Sequence, residues 1–258
     1  KAIICMYQKM GHSILLTAPT GRAAKRMTEA TGYEAKTLHR LLEYSPKDGQ
    51  FKKNSENPLN ADVFIIDETS MIDTILMYHF LKAIPSNATL ILVGDVDQLP
   101  SVGAGNLLRD IIESGVIPTV RLTKIFRQAQ DSLIISNAHR INDGKFPILD
   151  YSPGKLQDFY FFPCDEPEKA LKTILDLCYQ RIPKTFGFHP LDHIQVLSPM
   201  HRGLVGAANL NLELQKILNP SPKVEINRGG NVFRIGDKVM QIRNNYDKDI
   251  YNGDIGQI

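Results

Sequence analysis

The sequence predicts an α/β fold organised around a parallel sheet. Two short apolar runs, at residues 63–66 and 90–93, are separated by a stretch with helical character at residues 74–83. Short apolar runs rich in β-branched side chains are typical of strands buried on both faces. A strand, a helix and a second strand in this order form a β-α-β unit whose strands run parallel. The carboxyl ends of both strands are therefore expected at the same edge of the sheet.

Two carboxylates follow the first of these strands. Asp67 and Glu68 come directly after the apolar run, and ligands of open α/β sheets bind beyond the carboxyl ends of the strands. This arrangement suits a Walker B element, in which Asp67 would hold Mg²⁺ together with phosphate oxygens and Glu68 would orient or deprotonate the attacking water. The alternative is a strand that simply runs into an acidic turn.

The second strand also ends in polar residues. Gly94 and Asp95 follow it, and Gln98 comes shortly afterwards. Glycine permits a close approach of the backbone to a ligand. A neutral amide such as Gln98 can orient a water molecule or contact a terminal phosphate without adding charge. Two polar tips on neighbouring strands favour one shared site over two unrelated strand ends.

Composition narrows the class of protein. With 258 residues, 43% of them hydrophobic, the chain can hold one large or two modest globular domains. Its three cysteines, Cys5, Cys164 and Cys178, form no Cys-x-x-Cys pair, which predicts reduced thiols and not a disulfide frame or a zinc site. No apolar run is long enough for a membrane span, and we expect no membrane partner. The reduced thiols are those of a cytosolic protein, and a cytoplasmic location is expected. The net charge of +2 is weak evidence for nucleic acid.

Local basic clusters give stronger evidence for nucleic acid. Arg22, Lys25 and Arg26 are spaced so that a helix starting after residues 19–21 would carry them on one side. His39 follows a threonine that can cap another helix. Backbone amides and a hydroxyl at a helix start suit a phosphate of the DNA backbone. The alternative is a solvated basic helix face.

The remaining sequence predicts further helices, one more strand and a β pair. In chain order the predicted elements are helices at 106–114 and 131–142, an irregular crossing at 150–167, a helix at 168–181, a buried strand at 194–197, a helix at 205–218, and a hairpin-like pair at 237–242 and 251–256. The loop that begins at Pro199 would follow the buried strand and face a ligand edge.

Several strings resemble the motifs of RecD-like helicases, a branch of superfamily 1. Residues 67–71 (Asp-Glu-Thr-Ser-Met) resemble motif II, residues 93–106 resemble motif III nearly letter for letter, and residues 18–25 resemble motif Ia. The other similar segments are residues 37–42, 122–128 (motif IV), 198–203 and 239–245. The similarity begins near residue 14 and follows one order to the end of the chain.

The resemblance implies an architecture of RecA-like motor domains. Residues 1–148 would form the first RecA-like domain, residues 149–227 part of a second, and residues from 228 the start of an SH3-like β-barrel insertion. The phosphate-binding string Gly-x-x-x-x-Gly-Lys-[Ser/Thr] of the family occurs nowhere in the 258 residues. The family's motifs V and VI are missing as well. We therefore expect an internal piece of a longer protein that carries half of an ATP site.

The resemblance also assigns roles to single residues. Gln98 would sense the γ-phosphate of ATP, and Arg127 in motif IV would contact the same phosphate as an arginine finger. The alternative for Arg127 is an interdomain salt bridge. The residues implied for the single-stranded DNA track are Pro19, Thr20, Arg22, His39, Ser101, Pro199, Met200 and Arg202.

Together these features predict a bacterial ATP-dependent DNA helicase of recombination or repair, similar to the alpha subunit of exodeoxyribonuclease V, with ATP and Mg²⁺ as cofactors. The resemblance implies 5′-to-3′ movement on single-stranded DNA and allows partner subunits of a recombination complex. Two alternatives stay open: a piece of a conjugative relaxase–helicase, and a non-catalytic DNA-binding module with a degenerate ATPase core. Without the phosphate loop, the chain itself is expected not to hydrolyse ATP.

Overall fold

The computed structural model describes residues 1–122, 132–150, 157–220, 224–245, 248 and 250–258. Within these ranges no helix combines the length and the apolar character needed to cross a membrane. The chain divides into two compact units. The first comprises Lys1–Lys124 and Ile242–Gly253, and the second comprises Ile125–Gln241 and Asp254–Ile258. The predicted domain boundaries at residues 148 and 227 stay predictions.

The first unit has α/β structure. Its strands are β1 (Ile14–Ala18), β2 (Ala35–Thr37), β3 (Tyr44–Ser45), β4 (Gln50–Phe51), β5 (Val63–Ile66) and β6 (Thr89–Leu92). Its helices are α1 (Ala2–Lys9), α2 (Gly21–Thr31), α3 (Leu38–Leu41), α4 (Thr74–Ala83) and α5 (Leu107–Ser114), and a 3₁₀ turn covers Thr69–Met71. β3 and β4 form a short antiparallel hairpin.

Four strands of this unit form the predicted parallel sheet, in the order β2-β1-β5-β6. Each neighbouring pair is parallel, and the predicted α/β fold class is confirmed. The chain runs from β1 to β2 on one side and returns to β5 on the other side of β1. This reversal sets the carboxyl ends of β1 and β5 side by side, and crevices at such reversals bind ligands in open α/β sheets.

Strand β5 is apolar throughout because both of its faces are covered. Phe64 and Ile66 belong to one core cluster, which includes the buried face of α4. Val63 and Ile65 belong to another, with residues of α1 and α2. Strand β6 was predicted to be equally buried, but Thr89 is exposed and the rest of the strand is half-buried. It lies at the edge of the four-stranded sheet, where one side has no neighbouring strand among the described residues.

The second unit is mainly helical in its described part. Its helices are α6 (Leu133–Asn142), α7 (Pro167–Asp176), α8 (Ile182–Phe186), α9 (Pro190–His193) and α10 (Ala207–Leu218), and its strands are β7 (Glu225–Arg228), β8 (Asn231–Arg234), β9 (Lys238–Met240) and β10 (Ile255–Gln257). The helix predicted at 168–181 runs on into α8 through a π-helical turn at Leu177–Arg181. This turn comes just before Pro183, which has no amide hydrogen for a regular helical bond.

The β pair predicted near the end of the chain is confirmed. β9 and β10 are antiparallel, with Val239 opposite Gly256. β7 and β8 form a second antiparallel pair. Buried Asp237 stabilises the turn between β8 and β9 by accepting a hydrogen bond from the Arg234 amide at 2.7 Å.

The strand predicted at 194–197 is wrong. These residues follow α9 without strand structure, and the Leu197 side chain is 88% exposed. A strand needs a hydrogen-bonded neighbour, and the strands described in this unit pair only with each other, as β7-β8 and β9-β10. The Ile194 carbonyl oxygen instead accepts a hydrogen bond from Lys238 Nζ at 3.0 Å. The loop at Pro199 is therefore not the tip of a sheet strand.

Candidate nucleotide and DNA site

The predicted acidic pair lies at the carboxyl end of β5. The amide of Asp67 donates to the carbonyl oxygen of Thr17 in β1 at 3.0 Å, and the amide of Thr69 donates to that of Val93 at 2.9 Å. The amide of Glu68 donates to Asp67 Oδ1 at 2.9 Å. Hydrogen bonds to both neighbouring strands thus hold the backbone on either side of Glu68, and the two acidic residues are half-buried.

Glu68 has a left-handed backbone conformation. Its φ is 53° and its ψ is 40°, a region that costs a residue other than glycine about 1–2 kcal/mol. Its carbonyl oxygen accepts a hydrogen bond from the Met71 amide at 3.0 Å, which closes the turn that follows. Backbone strain of this kind concentrates at functional sites, where the surrounding structure holds it in place. The strained residue here is the one predicted to act on the attacking water.

Gln98 lies on a tight turn after β6. The Asp97 amide donates to Asp95 Oδ1 at 3.0 Å, and the Gln98 amide donates to the Asp95 carbonyl oxygen at 3.3 Å. Arg109 of α5 donates from Nη2 to the carbonyl oxygen of Val96 at 3.2 Å. Because β5 and β6 are neighbours, this turn and the acidic pair leave the sheet at adjacent strand ends.

The glycine-rich loop at 100–106 packs on the start of α4. Ser101 Oγ donates to the carbonyl oxygens of Gly103 and Gly105, at 3.0 and 3.2 Å. A Cβ atom at position 103 would collide with the side chain of Asp73, and one at position 105 with that of Thr74. The two glycines are therefore required for close packing. The Ser101 hydroxyl already bonds within this loop, and its contact with DNA stays a prediction.

Thr20 and Arg22 lie just beyond the carboxyl end of β1. Thr20 is the N-cap of α2, and its Oγ1 accepts a hydrogen bond from the Ala23 amide at 3.2 Å. Pro19, half-buried, precedes this cap. The start of α2 combines a helix dipole with nearby cations, which suits a phosphate group. The exposed basic side chains of the helix are those of Arg22, Lys25 and Arg26, as predicted.

His39 lies in α3, directly after β2. Its ring packs near Tyr44 and Phe51, with centroid distances of 5.6 and 5.8 Å. Burial lowers the pKa of His39 below its ordinary value, and the carboxylate of Asp73 partly opposes this effect. The neutral ring is therefore favoured at neutral pH. His39 would offer DNA a ring and a hydrogen-bonding group instead of a positive charge.

One edge of the sheet brings these candidates together. From β2 to β6, the order along the carboxyl edge is His39, then Thr20 with Arg22, then Asp67 with Glu68, then Gln98. Groups suited to DNA thus follow β2 and β1, and groups suited to a nucleotide follow β5 and β6.

The DNA candidates of the second unit lie in the loop before α10. The Ala207 amide donates to the Met200 carbonyl oxygen at 2.9 Å, and the Ala208 amide donates to that of His201 at 3.2 Å. The first amides of α10 are therefore engaged within the chain, so this loop would offer a ligand its side chains. The exposed predicted residues are Pro199, Met200 and Arg202.

The structure gives limited information on the predicted arginine finger and on the predicted magnesium site. Arg127, the predicted arginine finger, lies outside the described residues, and its role stays a prediction. Among the residues described, no group of three or more His, Cys, Asp or Glu side chains could hold a metal ion. Magnesium needs no such group, because it commonly takes one or two carboxylates and completes its shell with phosphate oxygens and water. The carboxylate of Asp67, the predicted metal ligand, is compatible with this kind of partial site.

Several residues that support the site were missed by the sequence reasoning. Thr17 is fully buried, and its Oγ1 donates to the Lys36 carbonyl oxygen at 2.8 Å, which ties β1 to β2. Asp73 and Arg109 position the glycine-rich loop and the Gln98 turn. These contacts depend on strand pairing and helix placement, and no local pattern distinguishes them from ordinary strand or helix residues.

Two domain families match the chain. A family described as AAA domain matches residues 1–104. A family described as ATP-dependent RecD-like DNA helicase SH3 domain matches residues 210–258. The second match begins within α10, whose Gln215 and Asn219 side chains donate to Asp237 at 2.6 and 2.9 Å. The helix and the strands that follow it thus share a buried polar contact.

Two bacterial proteins are similar to this chain over at least 95% of its length. The ATP-dependent RecD2 DNA helicase of Deinococcus radiodurans is 36% identical over 259 residues, covering 100% of this chain and 34% of that protein. The RecBCD enzyme subunit RecD of Mycolicibacterium smegmatis is 28% identical over 270 residues, covering 95% of this chain and 48% of that protein. The chain thus spans about a third to a half of the length of these relatives.

A solved structure of Pif1 helicase from Bacteroides in complex with ADP-AlF3 and single-stranded DNA is also similar. It is 20% identical, with a TM-score of 0.46, over 95% of this chain and 59% of that chain.

Proposed function

We propose that this chain, a homologue of RecD-like DNA helicases along its whole length, supplies part of the ATP site and part of the DNA track of an ATP-dependent DNA helicase. The observation that carries the proposal is the shared carboxyl edge of the parallel sheet. Acidic and amide groups follow β5 and β6, and a basic helix start follows β1. A nucleotide site and a DNA site on adjacent strands can influence each other through the strands and turns that hold both.

Asp67 and Glu68 are proposed to have different roles at the nucleotide site. Asp67 would hold Mg²⁺ together with phosphate oxygens. Glu68 would orient the attacking water or take its proton. The hydrogen bonds to Thr17 and Val93 that surround this pair keep both carboxylates at the sheet edge, and the strained backbone of Glu68 supports a functional role.

Gln98 is proposed to sense the terminal phosphate. Gln98 follows β6, the strand beside β5, on a turn stabilised by Asp95. Arg127 would add a positive charge at the same phosphate, as the resemblance to motif IV implies. The 258 residues contain no phosphate-loop string for the β- and γ-phosphates. Asp67, Glu68 and Gln98 would therefore form the part of the site that holds Mg²⁺ and the attacking water.

Single-stranded DNA is the proposed polymer substrate. Thr20 and Arg22 would contact a backbone phosphate at the start of α2, and the neutral ring of His39 would stack or form a hydrogen bond. Pro199, Met200 and Arg202 would make further contacts from the second unit. The resemblance implies a role in recombination or repair, and the name of one relative, a subunit of the RecBCD enzyme, allows partner subunits. The 5′-to-3′ direction is implied by resemblance alone.

This proposal is tested by measuring ATP hydrolysis by the full-length protein, with and without single-stranded DNA. We expect DNA to stimulate turnover and Glu68→Gln to lower the stimulated rate by about 10²-fold or more, as for loss of a general base. DNA binding by this variant should persist, because Glu68 is not placed on the DNA side. Glu113→Gln, which alters an exposed carboxylate of α5, is the matched control.

A non-catalytic DNA-binding module is the second candidate, which the missing phosphate-loop string would favour if these 258 residues were the natural protein. DNA binding without ATP turnover would support this candidate and reject the helicase activity. Turnover that Glu68→Gln leaves unchanged would instead reject the proposed role of Glu68.

A further inference from the structure

A short strip of chain, residues 250–253, packs against the start of α2 within the first unit. Tyr251 is only 9% exposed. A Cβ atom added at Gly21, the first residue of α2, would lie 2.5 Å from Tyr251 Cγ and 2.8 Å from Tyr251 Cβ. Real Cβ atoms do not approach other atoms this closely, because the repulsion is too strong. The Tyr251 ring therefore occupies the space that any larger residue at position 21 would need.

The same strip contacts the next residue of α2. Arg22 Nη1 donates to the carbonyl oxygen of Gly253 at 3.4 Å. Gly253 has a φ of 93°, a conformation that favours glycine and turns the chain at this point. A guanidinium group has five N–H donors in a fixed plane. One bond to Gly253 therefore leaves donors of Arg22 available for a phosphate group.

The strip is itself held by local hydrogen bonds. The amide of Asn252 donates to Asn244 Oδ1 at 2.9 Å. Asn245 and Ile250 exchange two backbone hydrogen bonds, at 2.7 and 3.0 Å. The Gly253 carbonyl thus belongs to a structured turn that Tyr251 anchors on Gly21.

We propose that Tyr251 is a positioning residue for the DNA-phosphate site at the start of α2. Its ring anchors the strip, and the strip's Gly253 carbonyl restrains the side chain of Arg22 before DNA binds. A long side chain that is already restrained loses less conformational freedom on binding a phosphate, so affinity increases. This inference rests on the proposed function, since it requires that Arg22 contacts DNA.

A double-mutant cycle on the protein as its gene encodes it tests the inference, with the affinity for a fluorescein-labelled oligothymidylate measured by anisotropy. We expect Tyr251→Ala to weaken binding by roughly three- to tenfold, about the effect of one phosphate contact. In an Arg22→Ala background the same change should have no further effect, because Tyr251 acts through Arg22. Tyr251→Phe keeps the ring carbons that face Gly21 and should bind DNA more tightly than Tyr251→Ala does.

A thermal-unfolding series tests the contact itself, without DNA. Gly21→Ala should lower Tm in the wild-type background but not in the Tyr251→Ala background, where the ring no longer occupies the space. If Tyr251→Ala fails to fold, the Gly21→Ala variant takes its place in the DNA-binding cycle. The new methyl group displaces the Tyr251 ring, and residue 21 has a helical backbone that alanine adopts readily. Tyr179→Ala, an exposed tyrosine of the second unit, is the matched control.

The outcomes separate the two proposals. An unchanged affinity in Tyr251→Ala, or an equal loss with and without Arg22, overturns the positioning role while the DNA site stands. A wild-type protein that does not bind single-stranded DNA overturns the proposed function and this inference with it.

Discussion

Gly94 lies directly against the amide of Thr69: a Cβ atom at position 94 would be 3.1 Å from the Thr69 nitrogen. The same atom would be 2.8 Å from Leu108 Cδ2. Gly94→Ala must therefore move the buried Leu108 side chain and shift the turn at Thr69 by a few tenths of an ångström. We expect a loss of about 1–3 kcal/mol of unfolding free energy, as for other overpacked sites. DNA-stimulated ATP turnover should fall as well, because the acidic pair moves.

The control for this prediction is Gly256→Ala. A Cβ atom at position 256 would meet no other atom within 4 Å, and its backbone is not left-handed. Denaturant unfolding should therefore give wild-type stability for Gly256→Ala and a lower midpoint for Gly94→Ala. Equal midpoints for the two variants would show that the turn after Glu68 accommodates a methyl group at position 94 without loss of stability.

ATP turnover by the isolated 258-residue chain is predicted to be absent. The chain has no Gly-x-x-x-x-Gly-Lys-[Ser/Thr] string, so it lacks the lysine and the amide cradle that hold the β- and γ-phosphates. Phosphate release in the presence of single-stranded DNA should match that of a Glu68→Gln variant of the same chain. Robust turnover that disappears in this variant would contradict our interpretation of the site.

The parallel sheet could be predicted because the residues of β5 themselves indicate that this strand is buried on both faces. Both faces of β5 are covered, so Val63–Ile66 is apolar at every position. The run at 194–197 has a similar pattern but forms no strand. An apolar run only favours burial and strand structure, because both also need a neighbouring segment, and that neighbour is set by distant parts of the chain.

The candidate site could be predicted only in part for the same reason. Asp67, Glu68 and Gln98 were identified because they follow strands, and the strand order then placed them on neighbouring ends. The left-handed backbone of Glu68 and the contact of Tyr251 with Gly21 depend on the register of strands and on residues far apart in sequence. No local pattern reports such relationships.

The stability of the protein is predicted to fall between about pH 7.5 and pH 5.5, through His39. Burial lowers the pKa of His39 in the folded protein, and Asp73 only partly offsets this. As the pH decreases through the ordinary histidine pKa, the unfolded state binds a proton before the folded state does. Protonation then favours unfolding, so the stability contributed by neutral His39 is present above this range and lost below it.

Calorimetric Tm values at both pH values test this prediction. His39→Gln cannot titrate, so its Tm should decrease less than that of the wild type between the two conditions. The same decrease in His39→Gln would show that other groups cause the pH dependence.

Asp237 is predicted to stabilise the segment that matches the SH3 family. Its buried carboxylate accepts hydrogen bonds from Gln215, Asn219 and the amide of Arg234. Asp237→Ala leaves these donors without their acceptor, and we expect a loss of about 2–4 kcal/mol. Glu213→Ala, which removes an exposed ion pair with a lysine on the same helix, should change the stability by less than about 1 kcal/mol. Chemical denaturation measures both, and similar midpoints would argue against a structural role of Asp237.

The start of α2 is predicted to make the DNA affinity of the chain strongly salt-dependent. Each phosphate neutralised on a single strand contributes a slope of about −0.7 to a plot of log affinity against log salt concentration. If Arg22 contacts one phosphate, Arg22→Ala should make the slope shallower by about this amount and weaken binding uniformly across DNA sequences. The control is Lys9→Ala, because Lys9 is exposed and ends α1, before the amino end of β1. That position is at the edge of the sheet opposite to Thr20 and Arg22, so Lys9→Ala should leave the slope unchanged. Anisotropy titrations at several salt concentrations give both slopes. An equal change in the two variants would mean that general charge, and not the carboxyl edge of the sheet, attracts the DNA.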